Sequence, residues 1–487
     1  MTDNIPVSLN VHIDPLSHGQ SAGSSILGDV AFALGATEPA LRLLLSILAG
    51  YPLALLHRYS LYGKSPILQH ILFILSGLSV GYFNYGWEVV HSMASVVVVY
   101  AVLLTIGGTV LSVAIVFIFS MSYLLTGYYL TGTETYDIKW SMAQCVLTLR
   151  LIGLAFDVYD GTKSADSLSD DQKKTALAKV PTFFEVAGHT FFPSSFLVGP
   201  QFPMRRYQDF VAGVLRDQDN ETLPSCLLTG FMRGGLGFIY LGIFQVGISY
   251  CPDSYLLTPE FNMLPFVKRC LVLGFWAKIT LYKYIACWLI SEGVCICSGL
   301  TYNGKTMEGQ SRWDGCANVK LRVYEGATKF GHFIASFNTN TNHWVAQYIY
   351  KRLKFMGNRY ISQAAALVFL AVWHGLHSGY YMCFLMEFLV MKLEKDLEPL
   401  LERNGTVIEL LKHPLVATVV WMALKLYTFV FMGWCLAPFA LLSFSRWWQV
   451  YRSVYFIGFI VFLLWPLYYP IVKKLLTPKS LQKAKEN

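Results

Sequence analysis

Charge is scarce in this chain. Of its 487 residues only 14% are Asp, Glu, Lys or Arg, against 54% hydrophobic and 15% aromatic. That balance leaves too little polar surface for two or three soluble domains and makes lipid the solvent for most of the sequence. The N-terminus lacks a basic stretch followed by a short apolar core. Its polar, partly acidic MTDNIPVSLNVHIDPLSHGQSAGSS predicts no cleaved leader and a first topogenic helix near 41–55. The net charge is +8, but Lys and Arg are scattered between apolar runs and never form the dense basic face with interleaved aromatics that nucleic acid requires. Nucleic acid is therefore excluded as a partner. The basic excess fits loops on the cytosolic side and suits an anionic substrate.

Several catalytic signatures are missing as well. Ten cysteines are present, none with zinc-ligand spacing. Cys295 and Cys297 lie two apart but have no second pair or nearby His, so they read as small apolar helix residues. The eleven histidines are dispersed, with only His374 and His377 close together, and two nitrogens do not complete a metal site. No GxSxG elbow, Gly-rich phosphate loop or Ser/His/Asp order appears, which leaves covalent catalysis without a nucleophile. The absence of an internal repeat counts against a transporter built from inverted halves.

Long apolar runs are what the chain does have. They cover 41–55, 67–83, 93–106, 110–129, 145–156, 238–250, 271–300, 361–390, 415–444 and 454–468. Continuous rather than alternating, they predict an all-α integral membrane protein of about ten or eleven transmembrane or re-entrant helices. The expected organisation is a polar segment over 1–36, a multi-helix membrane domain over 37–472 and a basic tail over 473–487. In that tail Lys483 and Lys485 stand where a dilysine retrieval signal would, so this end is read as cytosolic. Polar stretches over 157–179, 216–222, 301–343 and 392–413 read as loops. Asn220 and Asn404 sit in glycosylation sequons.

Ionisable residues inside apolar helices are costly and therefore informative. Here they are Arg150, Lys278, Lys283, Glu292, His374, His377 and Glu387. In FLAVWHGLHSGYYMCF, helical spacing puts His374, His377 and Ser378 on one face. A neutral imidazole at His374 suits general-base abstraction of an alcohol proton, and equally suits a hydrogen bond to a neighbouring helix. Upstream, FNTNTNHWVAQYIYKRLKFMGN carries Asn338, Asn340 and Asn342 at period two, then Trp344. An Asn amide there either donates to an oxygen that gains charge or closes a local turn. Lys351, Arg352 and Lys354 suit phosphate groups, or a solvated anchor at the membrane surface.

Together, SFNTNTNHW and VWHGLHSGY resemble the asparagine and histidine signature of the membrane-bound O-acyltransferases. YDIKWSMAQCVLTLRLIGLAFDVYDG, EVAGHTFFPSSFLVGPQFPM, LYKYIACWLISEGVCICSGLTYNG and RWDGCANVK resemble that family's lysophospholipid-acylating branch, from about residue 37 to the tail. The resemblance implies an endoplasmic-reticulum enzyme that esterifies the sn-2 hydroxyl of lysophosphatidylcholine and related lysophospholipids from polyunsaturated acyl-CoA. It implies His374 as the catalytic histidine and Asn338 as its asparagine partner, with Asn342, Trp344, His377 and Ser378 nearby as substrate-contact candidates. Acyl-CoA is then a substrate, the KRLK cluster would meet CoA phosphates, and neither cofactor nor metal is required. Many members place Trp before the asparagine; here it is Phe337. Membrane lipids are expected partners, and a homo-oligomer is left open. The alternatives are a family member acting on proteins or sterols, and a transporter, suggested by Lys278, Lys283, Glu292 and Glu387.

Overall fold

The computed structural model describes residues 25–133, 137–216 and 225–477. Asn220, the Lys483 and Lys485 pair and the first 24 residues lie outside them. Among the described residues all regular structure is helical, with two isolated β-bridges and no sheet. Seven stretches are long and apolar enough to cross a membrane: Glu38–Leu61, Pro66–Ile106, Val110–Thr131, Trp140–Asp160, Leu227–Leu257, Phe266–Ser298 and Pro414–Leu441. Pro66–Ile106 holds two helices, Pro66–Tyr85 and Val90–Ile106, separated at Gly86 with φ 59°. The helices Arg359–His374 and Ser378–Glu402 complete the bundle.

Burial separates the helices into two kinds. In Trp140–Asp160 and Phe266–Ser298, 83% and 72% of the apolar window is buried in protein, whereas Pro414–Leu441 buries 6% and turns its apolar surface to lipid. The interior helices are longer than their apolar windows because polar residues at their ends are satisfied by protein groups. Asp157 and Asp160, expected at the start of a loop, instead lie on the helix and are buried. Likewise 392–402 belongs to the Ser378–Glu402 helix.

Two of the long helices meet through glycine. Gly230, Gly234 and Gly237 of Leu227–Tyr250 pack on Gly293, Ile290 and Cys297 of Phe266–Ser298, and Tyr51 donates from its hydroxyl to the Ile290 carbonyl at 3.1 Å. Small residues allow such backbone approach where no hydrophobic force acts between helices. Cys295 and Cys297 are buried free thiols, as their apolar context suggested, Cys297 against Gly230 in that interface and Cys295 beside Ser194 at 3.4 Å.

Three apolar clusters result. One joins the first helices to Trp140–Asp160 and the Phe-rich 183–211 segment, and a second joins Phe266–Ser298 to Pro414–Leu441. The third, built around Trp344, Phe369 and Trp373, lies on the same helix end as His374. Replacing Gly293 by Leu is expected to part the glycine-packed pair, because the new Cβ would lie 2.6 Å from the Gly230 carbonyl oxygen. Thermal aggregation in detergent is the check: a midpoint lowered by more than about 5 °C is expected, and a wild-type midpoint would refute it.

Candidate active site at a helix break

His374 is the last residue of its helix. Asn358 caps the other end, its side chain accepting from the Tyr360 and Ile361 amides. At Gly375 the backbone turns to φ 143°, ψ −168°, a region that glycine enters freely. The expectation of one continuous run through 361–390, with His374, His377 and Ser378 on a single helical face, is thereby corrected. The chain leaves the helix at His374, His377 is extended, and a new helix begins at Ser378. Gly375 makes this break, and Gly379 already belongs to the new helix.

The break is held from several sides. Trp373 donates from Nε1 to the Cys145 carbonyl at 2.9 Å, and Tyr128 donates to the Trp373 carbonyl at 3.1 Å, satisfying one of the carbonyls a helix end leaves open. The Gly379 amide donates to the Leu442 carbonyl at 3.0 Å, and a Cβ at Gly379 would lie 1.9 Å from the Pro438 carbonyl oxygen. The His374 imidazole sits among Trp373, Tyr380, Phe384 and Phe439, with ring centroids 4.6 to 5.6 Å away. Among the described residues neither ring nitrogen hydrogen-bonds to protein, and the half-buried ring keeps accessible surface. A histidine acting as glue between helices would show such a bond.

Asn338 also lies at irregular backbone. Its φ of 49° and ψ of 45° are left-handed, which Asn tolerates better than most residues, and the short helix Thr339–Val345 follows it. The other asparagines build this turn. Asn342 donates from Nδ2 to the carbonyls of Ile334 and Phe337 at 2.9 and 3.0 Å. Asn340 donates from Nδ2 to Cys316 and Ala317, while its amide donates to the Asn318 side chain. The Asn338 side chain is half-buried and has no hydrogen bond among the described residues.

Beneath the turn lies an ion pair that sequence reasoning only half identified. Arg233 and Glu292, on the two glycine-packed helices, meet at 2.7 Å, with Glu292 4% exposed. The other Glu292 oxygen accepts from the Asn318 and Val319 amides at 2.6 and 3.2 Å. Residues 318–320 in turn hold 336–340, through a bridge between Val319 and Phe337 and through Thr339 donating to the Asn318 carbonyl. The sequence shows Glu292 as an intramembrane acid; Arg233, in FMRGGLGF, is its counter-charge.

The remaining candidates take varied places. Trp344 is buried and stacks on Phe369 at 5.6 Å, coupling the helix after Asn338 to the helix that ends at His374. Ser378 accepts from Trp447 Nε1 at 3.1 Å, and His377 packs edge-on to Tyr380. Arg352 forms a salt bridge with the buried Asp160 carboxylate, and Lys351 pairs with Asp171, holding that carboxyl below its ordinary value. Two of the three residues expected to meet phosphate are thus engaged within the protein, while Lys354 is exposed. Arg150 donates to the carbonyls of His189, Thr190 and Ser195, and Lys278 pairs with Glu325, so these intramembrane charges have structural partners. Glu387, by contrast, has neither hydrogen bond nor ion pair among the described residues. It lies three residues beyond Phe384 on the helix facing His374.

Residues 125–437 match the model of the membrane-bound O-acyltransferase family. The chain belongs to that family. It is 47% identical over 453 residues to lysophospholipid acyltransferase 5 of Drosophila melanogaster, covering 92% of this chain and 90% of the relative. Against the human protein of the same name the identity is 43% over 454 residues, 93% of each chain. The Caenorhabditis elegans protein of that name is 36% identical over 94% of this chain and 97% of its own. The family assignment makes the chain a membrane-embedded acyltransferase, and His374, Asn338 and the Glu292 anchor all fall inside the matched region.

Glu292→Gln leaves the half-buried Arg233 without its counter-charge. Its expected cost is about 3–5 kcal/mol, read as a lowered midpoint in SDS-titrated unfolding. The double variant Arg233→Met with Glu292→Met is expected to recover part of that loss, and a single variant as stable as wild type would contradict the anchoring role.

Proposed function

We propose that this chain is a lysophospholipid acyltransferase with acyl-CoA as donor, His374 as general base and Asn338 as carbonyl-orienting donor. One observation carries the reading. His374 and Asn338 keep accessible hydrogen-bonding atoms without a protein partner, whereas Asn340, Asn342 and Ser378 beside them are engaged. The relatives named for lysophospholipid acylation supply the acceptor.

In the proposed reaction the neutral His374 imidazole takes the proton of the sn-2 hydroxyl as that oxygen bonds to the thioester carbonyl carbon. The Asn338 amide donates to the carbonyl oxygen while it carries negative charge. The carbon–sulfur bond then breaks, and the CoA thiolate leaves with the proton returned from the imidazolium. The thioester is already activated, so no covalent enzyme intermediate is needed. Lys354 is the member of the basic cluster left to meet CoA phosphates. The resemblance supports an endoplasmic-reticulum location, and the basic residues after the last apolar run support a cytosolic side for that segment. The resemblance supports polyunsaturated donors.

Release of CoA thiol from purified protein given acyl-CoA and lysophosphatidylcholine tests the assignment. His374→Ala is expected to lower turnover about 10²- to 10⁴-fold, and Asn338→Ala about 10²- to 10³-fold, both with wild-type elution from a sizing column. Near-normal turnover in either variant removes that residue from the mechanism. With one acyl-CoA and a panel of lysophospholipids, a sterol and a peptide, product on the sterol or peptide alone would replace the acceptor. Solute flux into liposomes without acyl-CoA would restore the transporter reading.

A further inference from the structure

A cavity of about 410 Å³ lies between the Phe266–Ser298 and Pro414–Leu441 helices, and neither His374 nor Asn338 lines it. Its lining runs from exposed Leu271 and Leu426 to buried Tyr324 and Thr428. Three charges meet in it. Lys278 donates to a Glu325 carboxylate oxygen at 2.6 Å, Tyr240 donates to the other at 3.0 Å, and Lys425 donates to the Glu325 main-chain carbonyl. The Lys278 ammonium also stands over the Tyr282 and Tyr324 rings at 5.9 and 5.8 Å.

This cluster differs from the other intramembrane ion pair. Glu292 is closed off, but the side chains of Lys278 and Glu325 remain 35% and 34% exposed, although Lys278 lies twelve residues inside a helix of 33. Hydrocarbon against an open ion pair is unfavourable, so the cavity calls for a polar occupant. Two ammonium groups and one carboxylate sum to +1, and each ammonium has three N–H donors, more than its carbonyl or carboxylate contact uses. A phosphodiester carries one negative charge and only acceptors. The apolar walls accept a hydrocarbon chain.

The cavity also adjoins the candidate site. Tyr324 stacks on Phe337 at 5.8 Å, and Phe337, the neighbour of Asn338, packs on Trp288 of the helix that carries Lys278. We propose that Lys278 and Lys425, positioned by Glu325, hold the phosphodiester of the lysophospholipid acceptor in this cavity between two membrane helices, a staging site ahead of the His374 pocket. Lys425 stands fourteen helical residues, about 21 Å, before the Phe439 that packs on His374. The inference rests on the acyltransferase reading above for its ligand. It assigns to the lysines a task separate from CoA recognition.

Kinetics and labelling test it on the full-length protein in nanodiscs. In Lys425→Gln, whose lost partner is a main-chain carbonyl, the KM for lysophosphatidylcholine is expected to rise about tenfold while the KM for acyl-CoA stays within about twofold. Lys425→Arg is expected to restore the acceptor KM. Unchanged KM for lysophosphatidylcholine, or parallel rises in both constants, would overturn the proposal. A lysophosphatidylcholine with a photoreactive headgroup is expected to label peptides within 266–298 or 414–441, displaced by excess lysophosphatidylcholine but not by acyl-CoA. Labelling absent from both helices, or displaced equally by acyl-CoA, would also overturn it. Labelling needs no turnover, so its failure is distinct from a failure of the acyl-transfer reading, which would show as an inactive wild type.

Discussion

The buried contact between Arg233 and Glu292 underlies the geometry of the site. A lone carboxylate in a membrane interior is expensive, and pairing alone seldom repays its desolvation. Glu292 gains more than a counter-ion, because its second oxygen takes two backbone amides of residues 318 and 319. These amides lie in irregular chain that no helix would satisfy. The ion pair thus clamps two helices together and gives a non-helical segment a fixed place to fold against. The turn at Asn338 is built on that segment, so a charge pair with no contact to either proposed substrate decides where the amide stands.

Both candidate side chains occur where regular backbone stops. His374 precedes a glycine at φ 143°, and Asn338 is itself left-handed. Non-helical backbone at membrane depth survives only when protein groups replace the missing ladder, as the Tyr128, Leu442 and Asn342 contacts do here. In a regular helix, His374 would share a face with His377 and present a stripe to its neighbour. At a break it projects from an end, ringed by four aromatic side chains that offer it no hydrogen-bond partner.

Much of this was legible in the sequence, and the failures have physical causes. Apolar runs located most lipid-facing helices, because those helices solve a solvation problem, but 238–250 became Leu227–Tyr250, whose first half is diluted by Arg233, Gly230, Gly234 and Gly235. One interior helix was also under-read: 145–156 became Trp140–Asp160, since Asp157 and Asp160 are satisfied by Tyr348 and Arg352 rather than by water. The three asparagines at period two supported two readings, and the structure divides them. Asn340 and Asn342 close the loop, while Asn338 alone keeps its amide unpaired. The acidic partners of Lys351 and Arg352 in the KRLK cluster lie 180 and 192 residues upstream, beyond any local pattern. Gly375 was legible as a small residue but not as a helix terminus, since apolar residues continue on both sides of it.

The burial of Trp140–Asp160 has a consequence for synthesis. Arg150 is satisfied by carbonyls of residues 189–200, Asp157 by Tyr348 and Asp160 by Arg352, all of which leave the ribosome after the helix itself. Arg150 stands at the middle of the helix, where such a charge facing lipid costs about 2.5–3.5 kcal/mol on insertion scales, while Asp157 and Asp160 stand in its last turn. This helix is therefore a poor candidate for stable, independent entry into the bilayer. It has to be escorted by its neighbours, or wait at the translocon until chain made some 190 residues later arrives to complete its polar contacts.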